Sequence, residues 1–315
     1  MYIFLYKMDI KQVVIWGHKL HTHTHSYIHN AFYKTFTHLG HKTIWLDNND
    51  NIIGMNFSNT LFLSEGQVDN NIPIRQDCYY ILHNCNVNKY ITIPNSNILN
   101  IQVFSKDVIK RNEPKIDDFI YYNQSKNNEG YSVLYMPWAT DLLPEEINNN
   151  IVNLDNIKIK KEINFIGMNT PEWDMVQNFC NINNIAYNGK GGFQNNIDIL
   201  TNQQLIQQSL VAPSIQTKWQ VDNGYIPCRI FKNISYGKMG VTNSATVFEL
   251  FRKSIIYHND INECLKMSIN FENKNNEYKK SVLIPLMCYV REKHTYINRI
   301  QTILDCFRKQ LTVEK

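Results

Sequence analysis

Short apolar runs alternate with amphipathic stretches along the first part of the chain. Gln12–Trp16 is a run of mainly β-forming residues and predicts a buried strand. Apolar residues then recur at helical spacing over 28–39, and Gly40 ends the predicted helix. Thr43–Leu46 predicts the next strand. A strand, a helix and a strand in this order make a βαβ unit, which predicts a parallel sheet.

The same alternation continues to the end of the sequence. Further short apolar runs predict strands at 79–82, 101–104, Ser132–Tyr135, 163–167, 185–187 and 254–257, and a helix at 171–181. Residues 188–192 predict a loop that contains Lys190 and Gly191. An Asn-rich and then charged stretch between about 140 and 160 predicts a domain boundary. The pattern therefore predicts two α/β domains.

The segment from Arg229 to 249 is the most informative about ligands. It predicts a helix stopped by Gly237, a short strand, and a new helix opened by Asn243 or Ser244. A helix start directly after a strand offers unpaired N–H groups and the positive end of the helix dipole, which suits phosphate. Arg229 and Lys232 are one helical turn apart, so both can face one anion. A ligand with a diphosphate group, such as a nucleotide-sugar, fits this pattern.

An apolar stripe dominates the last predicted element. Its residues are Val290, Ile297, Ile300, Leu304 and Phe307. The stripe predicts one long amphipathic helix over about 286–308 that packs on another element.

Seven of the ten histidines fall between His18 and His41. His21, His23 and His25 follow the first strand, where parallel sheets bind their ligands. Three interpretations compete for these residues. Alternate histidines of an extended loop can bind a metal ion, the loop can be polar without a chemical role, or it can supply a general base or bind substrate.

Length and charge limit the classes of protein to which this chain can belong. A chain of 315 residues suits two domains, and 32 basic against 28 acidic residues give a net charge of only +4 without a basic run. Nucleic-acid binding is therefore not expected.

Seven scattered cysteines without a C-x-x-C pair predict reduced thiols in the cytoplasm, and the apolar start is too short to span a membrane. No Walker motif and no G-x-G-x-x-G follow a strand, which argues against an ATPase or a nicotinamide enzyme.

Several motifs together carry a family resemblance. The pattern Arg229-x-Phe-x5-Gly237, followed by a strand and a helix, resembles the donor-binding segment of group 1 glycosyltransferases. Residues 294–299, His-Thr-Tyr-Ile-Asn-Arg, resemble the last helix of the spore-maturation branch of these enzymes. Residues 134–141 and 165–167 are similar to the family's passage between domains and to the strand that opens its second domain.

The resemblance implies a GT-B fold, in which two Rossmann-like domains with parallel sheets face a cleft. It implies an acceptor domain over 1–145, a donor domain over 160–285, and a helix over 286–315 that crosses back to the first domain. Such enzymes need no metal ion and no other cofactor. Inverting members place a histidine base sixteen positions before a Gly-His pair, and counting back from His41 reaches His25. His23 and His21 are its substitutes.

The residue pattern and the resemblance together give one predicted set of donor-binding residues. These are Arg229, Lys232, Tyr225, Thr242, Asn243, Ser244, Lys190 and Gly191. The chain departs from many relatives in having Lys232 and Gly224 where those enzymes carry glutamates. These departures argue against the usual contact to the ribose and against a retaining mechanism built on the glutamate pair.

The predicted function is transfer of a sugar from a nucleotide-diphosphate-sugar to a hydroxyl group of a glycan or another acceptor. One alternative is a metal-dependent hydrolase built on His21, His23 and His25. The other is a nucleotide-sugar-binding module without turnover. The oligomeric state is not defined by the sequence.

Overall fold

The computed structural model describes residues 8–19, 24–104, 115–116, 119–122, 132–167, 170–191 and 197–313. The chain divides into two compact units. Unit 1 takes the described residues up to Pro137 and those from Tyr296 onward, and unit 2 is the continuous segment from Trp138 to Thr295. Unit 2 is therefore inserted between two separate parts of unit 1.

The described residues form ten α-helices and twelve strands. The helices are α1 (Thr24–His38), α2 (Pro144–Val152), α3 (Pro171–Ile182), α4 (Ile199–Gln208), α5 (Lys218–Asp222), α6 (Cys228–Ser235), α7 (Ala245–Leu250), α8 (Ile261–Glu272), α9 (Asn276–Lys293) and α10 (Tyr296–Val313). The strands are β1 (Gln12–Trp16), β2 (Thr43–Leu46), β3 (Thr60–Glu65), β4 (Tyr79–His83), β5 (Ile98–Gln102), β6 (Lys115–Ile116), β7 (Phe119–Tyr122), β8 (Ser132–Tyr135), β9 (Glu162–Gly167), β10 (Ala186–Gly191), β11 (Val241–Thr242) and β12 (Ile256–Tyr257). Three short 3-10 helices lie at Val87–Tyr90, Asn95–Asn97 and Leu154–Asn156.

Unit 1 is built on an eight-stranded sheet with the order β2-β1-β3-β4-β5-β8-β7-β6. The first six strands in this order are parallel, and β7 and β6 pair antiparallel at one edge. β1 and β3 are buried along their whole length, as expected for central strands of a parallel sheet. The mixed α/β class predicted from the alternation is confirmed, and the sheet is compatible with a Rossmann-like fold.

Helix α10 packs into unit 1. The ring of Tyr296 meets Phe32 of α1 edge-on at 4.6 Å between centroids, and Phe307 meets Tyr79 of β4 at 5.5 Å. The Nε of the fully buried Arg299 donates to the carbonyl of Pro137 at 2.8 Å. Arg299 thus holds α10 to the chain just beyond the last strand of the sheet.

Unit 2 contains, among its described residues, two pairs of parallel strands: β9 with β10, and β11 with β12. The segment 210–214 lies between the pairs. The amide of Leu210 donates to the carbonyl of Glu162 at 2.7 Å, and that of Ser214 to Val241 at 2.8 Å. Ser214 also forms a parallel bridge with Thr242. The carboxyl ends of β9, 210–214 and β11 therefore meet at one edge.

The predicted helix, glycine stop, strand and helix are confirmed over 228–250. α6 ends before Gly237, which has a φ of +89° in the left-handed region that favours glycine. A Cβ at this position would also clash with the side chain of Leu154. β11 follows, and Ser244 is the residue before α7.

Two sequence predictions of local structure are wrong, and one central strand is missing from the prediction. The helix predicted over 286–308 is two helices, because α9 ends at Lys293 and α10 begins at Tyr296. Residues 188–191 of the predicted loop continue β10, where Gly191 pairs in register with Gly167. The strand β3 is absent from the sequence prediction.

The units do not begin and end at the predicted domain limits. α2 starts at Pro144 and belongs to unit 2, whereas the first predicted domain extends to 145. α9 lies wholly in unit 2, although the predicted crossing helix begins at 286. None of the seven cysteines forms a disulfide bond. No helix formed by the described residues is both long enough and apolar enough to cross a membrane.

Candidate functional site

The carboxyl edge of the unit 2 strands brings together three loops. α3 begins at Pro171 shortly after β9, the loop from Ser214 follows the central segment, and α7 follows β11. The amide of Lys218 donates to Glu172 Oε1 at 3.2 Å, which ties the first turn of α3 to the middle loop. Ligands of parallel α/β sheets bind at such an edge.

Five buried oxygen atoms at this edge have no hydrogen-bond partner within the described part of the chain. They are Thr170 Oγ1, Glu172 Oε2, Ser214 Oγ, Gln216 Oε1 and Ser244 Oγ. Buried polar atoms in proteins nearly always have a partner, in the protein, in ordered water or in a ligand. Their concentration at one edge marks this place as a candidate ligand site.

Asn243 fixes the middle loop of the edge. Its Oδ1 accepts from the amide of Gln216 and its Nδ2 donates to the carbonyl of the same residue, both at 2.9 Å. The amide of Ser244 donates to Thr242 Oγ1 at 3.1 Å. The side chains of Asn243 and Thr242 are therefore occupied with the backbone, and they shape the edge.

The side chain of Arg229, which belongs to α6, lies at the end of β9. Its Nη2 donates to the carbonyl of Ile166 at 3.1 Å, and its guanidinium carbon lies 4.6 Å from the ring centroid of Phe165 and 5.2 Å from that of Trp173. A Cβ added at Gly167 would come within 2.5 Å of Nη2, so only glycine allows this close approach. Burial lowers the pKa of Arg229 below its ordinary value.

Lys232 has a different partner from Arg229, although one helical turn separates them. Its Nζ lies 3.5 Å from Asp141 Oδ2 and 6.0 Å from the ring centroid of Tyr236. The two cations therefore contact separate groups, the end of β9 and the buried Asp141. Their binding to a single anion stays a prediction.

The remaining predicted donor residues also lie in unit 2. Gln216 Nε2 donates to the carbonyl of Tyr225 at 2.8 Å, and burial raises the pKa of the half-buried Tyr225 phenol. Lys190 and Gly191 end β10, so their backbone reaches the same edge as Gly167. The aromatic ring of Phe231 is fully buried and stacks on His294 at 4.6 Å, which places Phe231 in the core.

A second cluster of functional side chains lies in unit 1, at the carboxyl edge of its sheet. His18 follows β1, Glu65 ends the neighbouring β3, and His25 lies in the first turn of α1. His18 Nε2 lies 3.0 Å from Glu65 Oε2. The ring centroids of His18 and His25 are 5.4 Å apart, and the rings are stacked.

Two more histidines surround this cluster. The centroid of His29 lies 5.2 Å from that of His18, and the centroid of His83 lies 5.4 Å from that of His25. Each directs Nδ1 at a carbonyl oxygen, His29 at Gly17 (2.8 Å) and His83 at Ile101 (2.9 Å). Because a carbonyl only accepts, Nδ1 carries the proton in both rings. Burial lowers the pKa of His29 to about 3 and also lowers that of His83, which keeps both rings neutral.

The environment of Glu65 favours its ionised form. Burial opposes ionisation, but the hydrogen bond with His18, the nearby His25 and the amide of Gln67 outweigh it and lower the pKa of Glu65. The amide of Gln67 donates to Glu65 Oε2 at 3.1 Å. A buried carboxylate next to two imidazoles is thus available to stabilise an imidazolium or to bind a metal ion.

The structure describes one of the three histidines predicted to be catalytic. His25 lies in the cluster, whereas His21 and His23 fall outside the described residues. Sequence reasoning did not find Glu65. The apolar run Leu61-Phe62-Leu63, which ends two positions before Glu65, was the available signal, because a strand there places its last residue at the same edge as His18.

The fold and these two clusters define a mixed α/β protein with a parallel sheet and polar carboxyl edges. No known family model matches the chain, and no curated protein matches it significantly in sequence.

Proposed function

We propose that the protein transfers a sugar from a nucleotide-diphosphate-sugar to a hydroxyl group of an acceptor. The observation that carries this proposal is the set of unpartnered buried oxygens at the carboxyl edge of unit 2. Thr170, Ser214 and Ser244 offer hydroxyl donors, and Glu172 and Gln216 offer acceptors. A ligand that satisfies both kinds of group combines phosphate oxygens with sugar hydroxyls.

The charge at the same edge supports a diphosphate. Arg229 is a planar cation with several N–H donors, and only the bond from Nη2 to Ile166 is formed with the backbone of β9. In this proposal Glu172 accepts hydrogen bonds from the sugar or ribose hydroxyls. Lys232 cannot do so, because it stands where many of the enzymes that the chain resembles carry a glutamate.

The cluster of unit 1 supports acceptance of a proton. In the proposed reaction, a nitrogen of His25 takes the proton of the acceptor hydroxyl. The oxygen of that hydroxyl bonds to the anomeric carbon of the donor sugar. The bond from that carbon to the diphosphate breaks, and the nucleoside diphosphate leaves with inversion. Glu65 stabilises the resulting imidazolium, because an ionised carboxylate near an imidazole favours its charged form.

A thermal-shift screen against UDP-, GDP- and dTDP-sugars tests the proposal, with CMP-sugars, which carry one phosphate, as the control. A ligand that binds only the folded chain raises its melting temperature in proportion to the logarithm of its concentration. We expect one nucleotide class to produce a shift. The matched variants Ser214→Ala and Ser244→Ala should reduce it, and Ser281→Ala, on the exposed first turns of α9, should not.

Absence of a shift with every nucleotide-sugar at millimolar concentration would reject the proposal. A shift that survives in both edge variants would place the ligand elsewhere. Release of nucleoside diphosphate in the presence of an acceptor panel then separates a transferase from a binding module.

A further inference from the structure

The carboxyl edge of the unit 1 sheet holds three residues with the chemistry of metal ligands. His18, His25 and Glu65 each offer one ligand atom, and the three atoms lie within 4.8 Å of one another. His18 and Glu65 are buried and His25 is half-buried. The order of the strands brings them together, because β1 and β3 are neighbours and α1 returns over the same edge.

The distances are close to those of a bound ion. Ligand atoms around a tetrahedral zinc ion at about 2.0–2.2 Å are separated by roughly 3.4 Å. The His18 Nε2 to Glu65 Oε2 distance of 3.0 Å is slightly shorter than this separation, and the upper limit of 4.8 Å exceeds it by little more than 1 Å. The spacing of the three ligand atoms is therefore near that of a set around one zinc ion.

The backbone also supports this arrangement. His18 has a φ of +55°, a left-handed conformation that costs a residue other than glycine on the order of 1 kcal/mol or more. It follows Gly17, where a Cβ would clash with Val68. The close packing at Gly17 holds the turn, and the unusual conformation at His18 directs its ring at Glu65. A turn of this kind after a central strand is more typical of a binding site than of a packed core.

Neighbouring groups orient the three residues as they do in metal centres. The amide of Gln67 donates to Glu65 Oε2 at 3.1 Å and fixes the carboxylate. The neutral rings of His29 and His83 pack against His18 and His25, respectively. Such surrounding contacts set the geometry of metal ligands and strengthen binding.

We propose that His18, His25 and Glu65 bind one divalent transition-metal ion of the zinc type. Two imidazoles and a carboxylate are the protein ligands of many zinc sites that leave a fourth position for water, whereas magnesium and calcium prefer oxygen ligands. The set differs from the one that the sequence suggested. The sequence suggested His21, His23 and His25, and only His25 belongs to both sets. The other two ligands, His18 and Glu65, lie at the ends of β1 and β3.

This inference does not rest on the proposed transfer reaction. If the ion is resident, His25 is a ligand, and its nitrogen is not the proton acceptor. If the site holds no ion, the nitrogen remains available as the base. The two roles of His25 exclude each other, whereas the donor edge of unit 2 is independent of both.

Metal binding is measured on the full-length chain after treatment with a chelator. Zinc is titrated in competition with a chromophoric chelator, and cobalt(II) is titrated while its visible d–d absorption is recorded. We expect one ion per chain and an intense cobalt spectrum typical of four- or five-coordination. A weak octahedral spectrum or no saturable binding would overturn the proposal.

Variants identify the ligands. His18→Ala, His25→Ala and Glu65→Gln should each weaken zinc binding at least about a hundredfold, since removal of a surrounding residue alone costs about ten- to a hundredfold. His38→Ala, on the exposed end of the same helix, should bind zinc like the parent chain. The double variant His21→Ala/His23→Ala should also retain the ion.

The opposite pattern, loss in the double variant and retention in His18→Ala, would overturn the assignment. Glu65→Gln conserves the volume of the side chain, so its melting temperature without metal shows whether a loss of binding is merely a loss of folding. Nucleotide-sugar binding to the metal-free chain is recorded separately, so failure of the transferase proposal is distinguishable from failure of the metal site.

Discussion

The ammonium group of Lys232 lies 3.5 Å from the carboxylate of Asp141 in unit 2. The phenol of Tyr236 donates to the same carboxylate, at 2.8 Å from Oδ1 and 2.7 Å from Oδ2. Both members of the ion pair are largely buried, with 13% and 6% of their side chains exposed. A diphosphate would therefore share Lys232 with an aspartate, and the strength of that competition can be measured.

Removal of Lys232 should destabilise the chain through Asp141. In Lys232→Met the buried carboxylate loses its cation, and we expect the free energy of unfolding to fall by about 1–3 kcal/mol. The double variant Lys232→Met/Asp141→Asn should recover most of this loss, since no charge is left unpaired. Urea unfolding measures both. Equal stability of the single and double variants would show that the pair contributes nothing.

The same residues separate stability from ligand binding. Lys232→Ala should weaken binding of the nucleotide-sugar at least about tenfold, the scale of one charge-assisted contact. Asp141→Asn keeps the ammonium group and removes its competitor, so affinity should be maintained or increased. Isothermal titration calorimetry gives both constants. An unchanged affinity in Lys232→Ala would remove Lys232 from the donor site.

Asn243 is expected to act by holding Gln216. Asn243→Ala loses two hydrogen bonds to the backbone of one residue, which should cost about 1–3 kcal/mol of stability and loosen the donor edge. Asn243→Asp keeps the acceptor for the amide of Gln216 but faces its carbonyl with a second acceptor. We therefore expect Asn243→Asp to be no more stable than Asn243→Ala. Near-parental stability of Asn243→Asp would mean that only the bond from the amide matters.

His25→Ala should abolish turnover and leave donor affinity unchanged, because the donor edge lies in unit 2. Sugar transfer is followed by release of nucleoside diphosphate, and affinity by calorimetry. His38→Ala on the same helix is the control. If His25→Ala retains full activity, the proton acceptor lies elsewhere.

Burial of His29 predicts a loss of stability in acid. Its pKa is lowered from 6.5 to about 3 in the folded chain, so between these values the unfolded chain binds a proton that the folded chain does not. The free energy of unfolding should fall as the pH decreases through this window, by up to about 1.4 kcal/mol per pH unit from this group. His29→Gln can still donate to the carbonyl of Gly17 and does not titrate. Its slope, measured by urea unfolding with chelator present, should be smaller, and identical slopes would contradict the prediction.

Most helices and strands of this chain could be predicted from the sequence, because the residues that determine each of them are close together along the chain. The apolar run at Gln12–Trp16 and the glycine stop at Gly237 each fix an element without help from distant residues. The break between α9 and α10 was not readable. Residues 290–297 contain no proline or glycine, and the break lies in the backbone of His294, whose φ of −133° and ψ of 39° are not helical.

Only some of the residues at the candidate sites could be predicted from the sequence. His25 was predicted from the histidines that follow the first strand and from its spacing to His41, but its neighbour Glu65 lies 40 positions later along the chain. Their meeting depends on β3 lying directly beside β1, and strand order is a property of the whole sheet. Likewise, the helical spacing of Arg229 and Lys232 places both on one side of α6, yet the stacking on Phe165 and the pairing with Asp141 separate their charged groups.

The insertion of unit 2 into unit 1 has a consequence for how the chain is made. Helix α10 holds Pro137 through Arg299, but the ribosome reaches it only after residues 138–295 have been synthesised. At about 5–20 residues per second, the nascent sheet waits roughly 10–30 s without this helix. Unit 2 can therefore complete its folding before α10 packs on the sheet of unit 1, although the strands of that sheet are synthesised before unit 2.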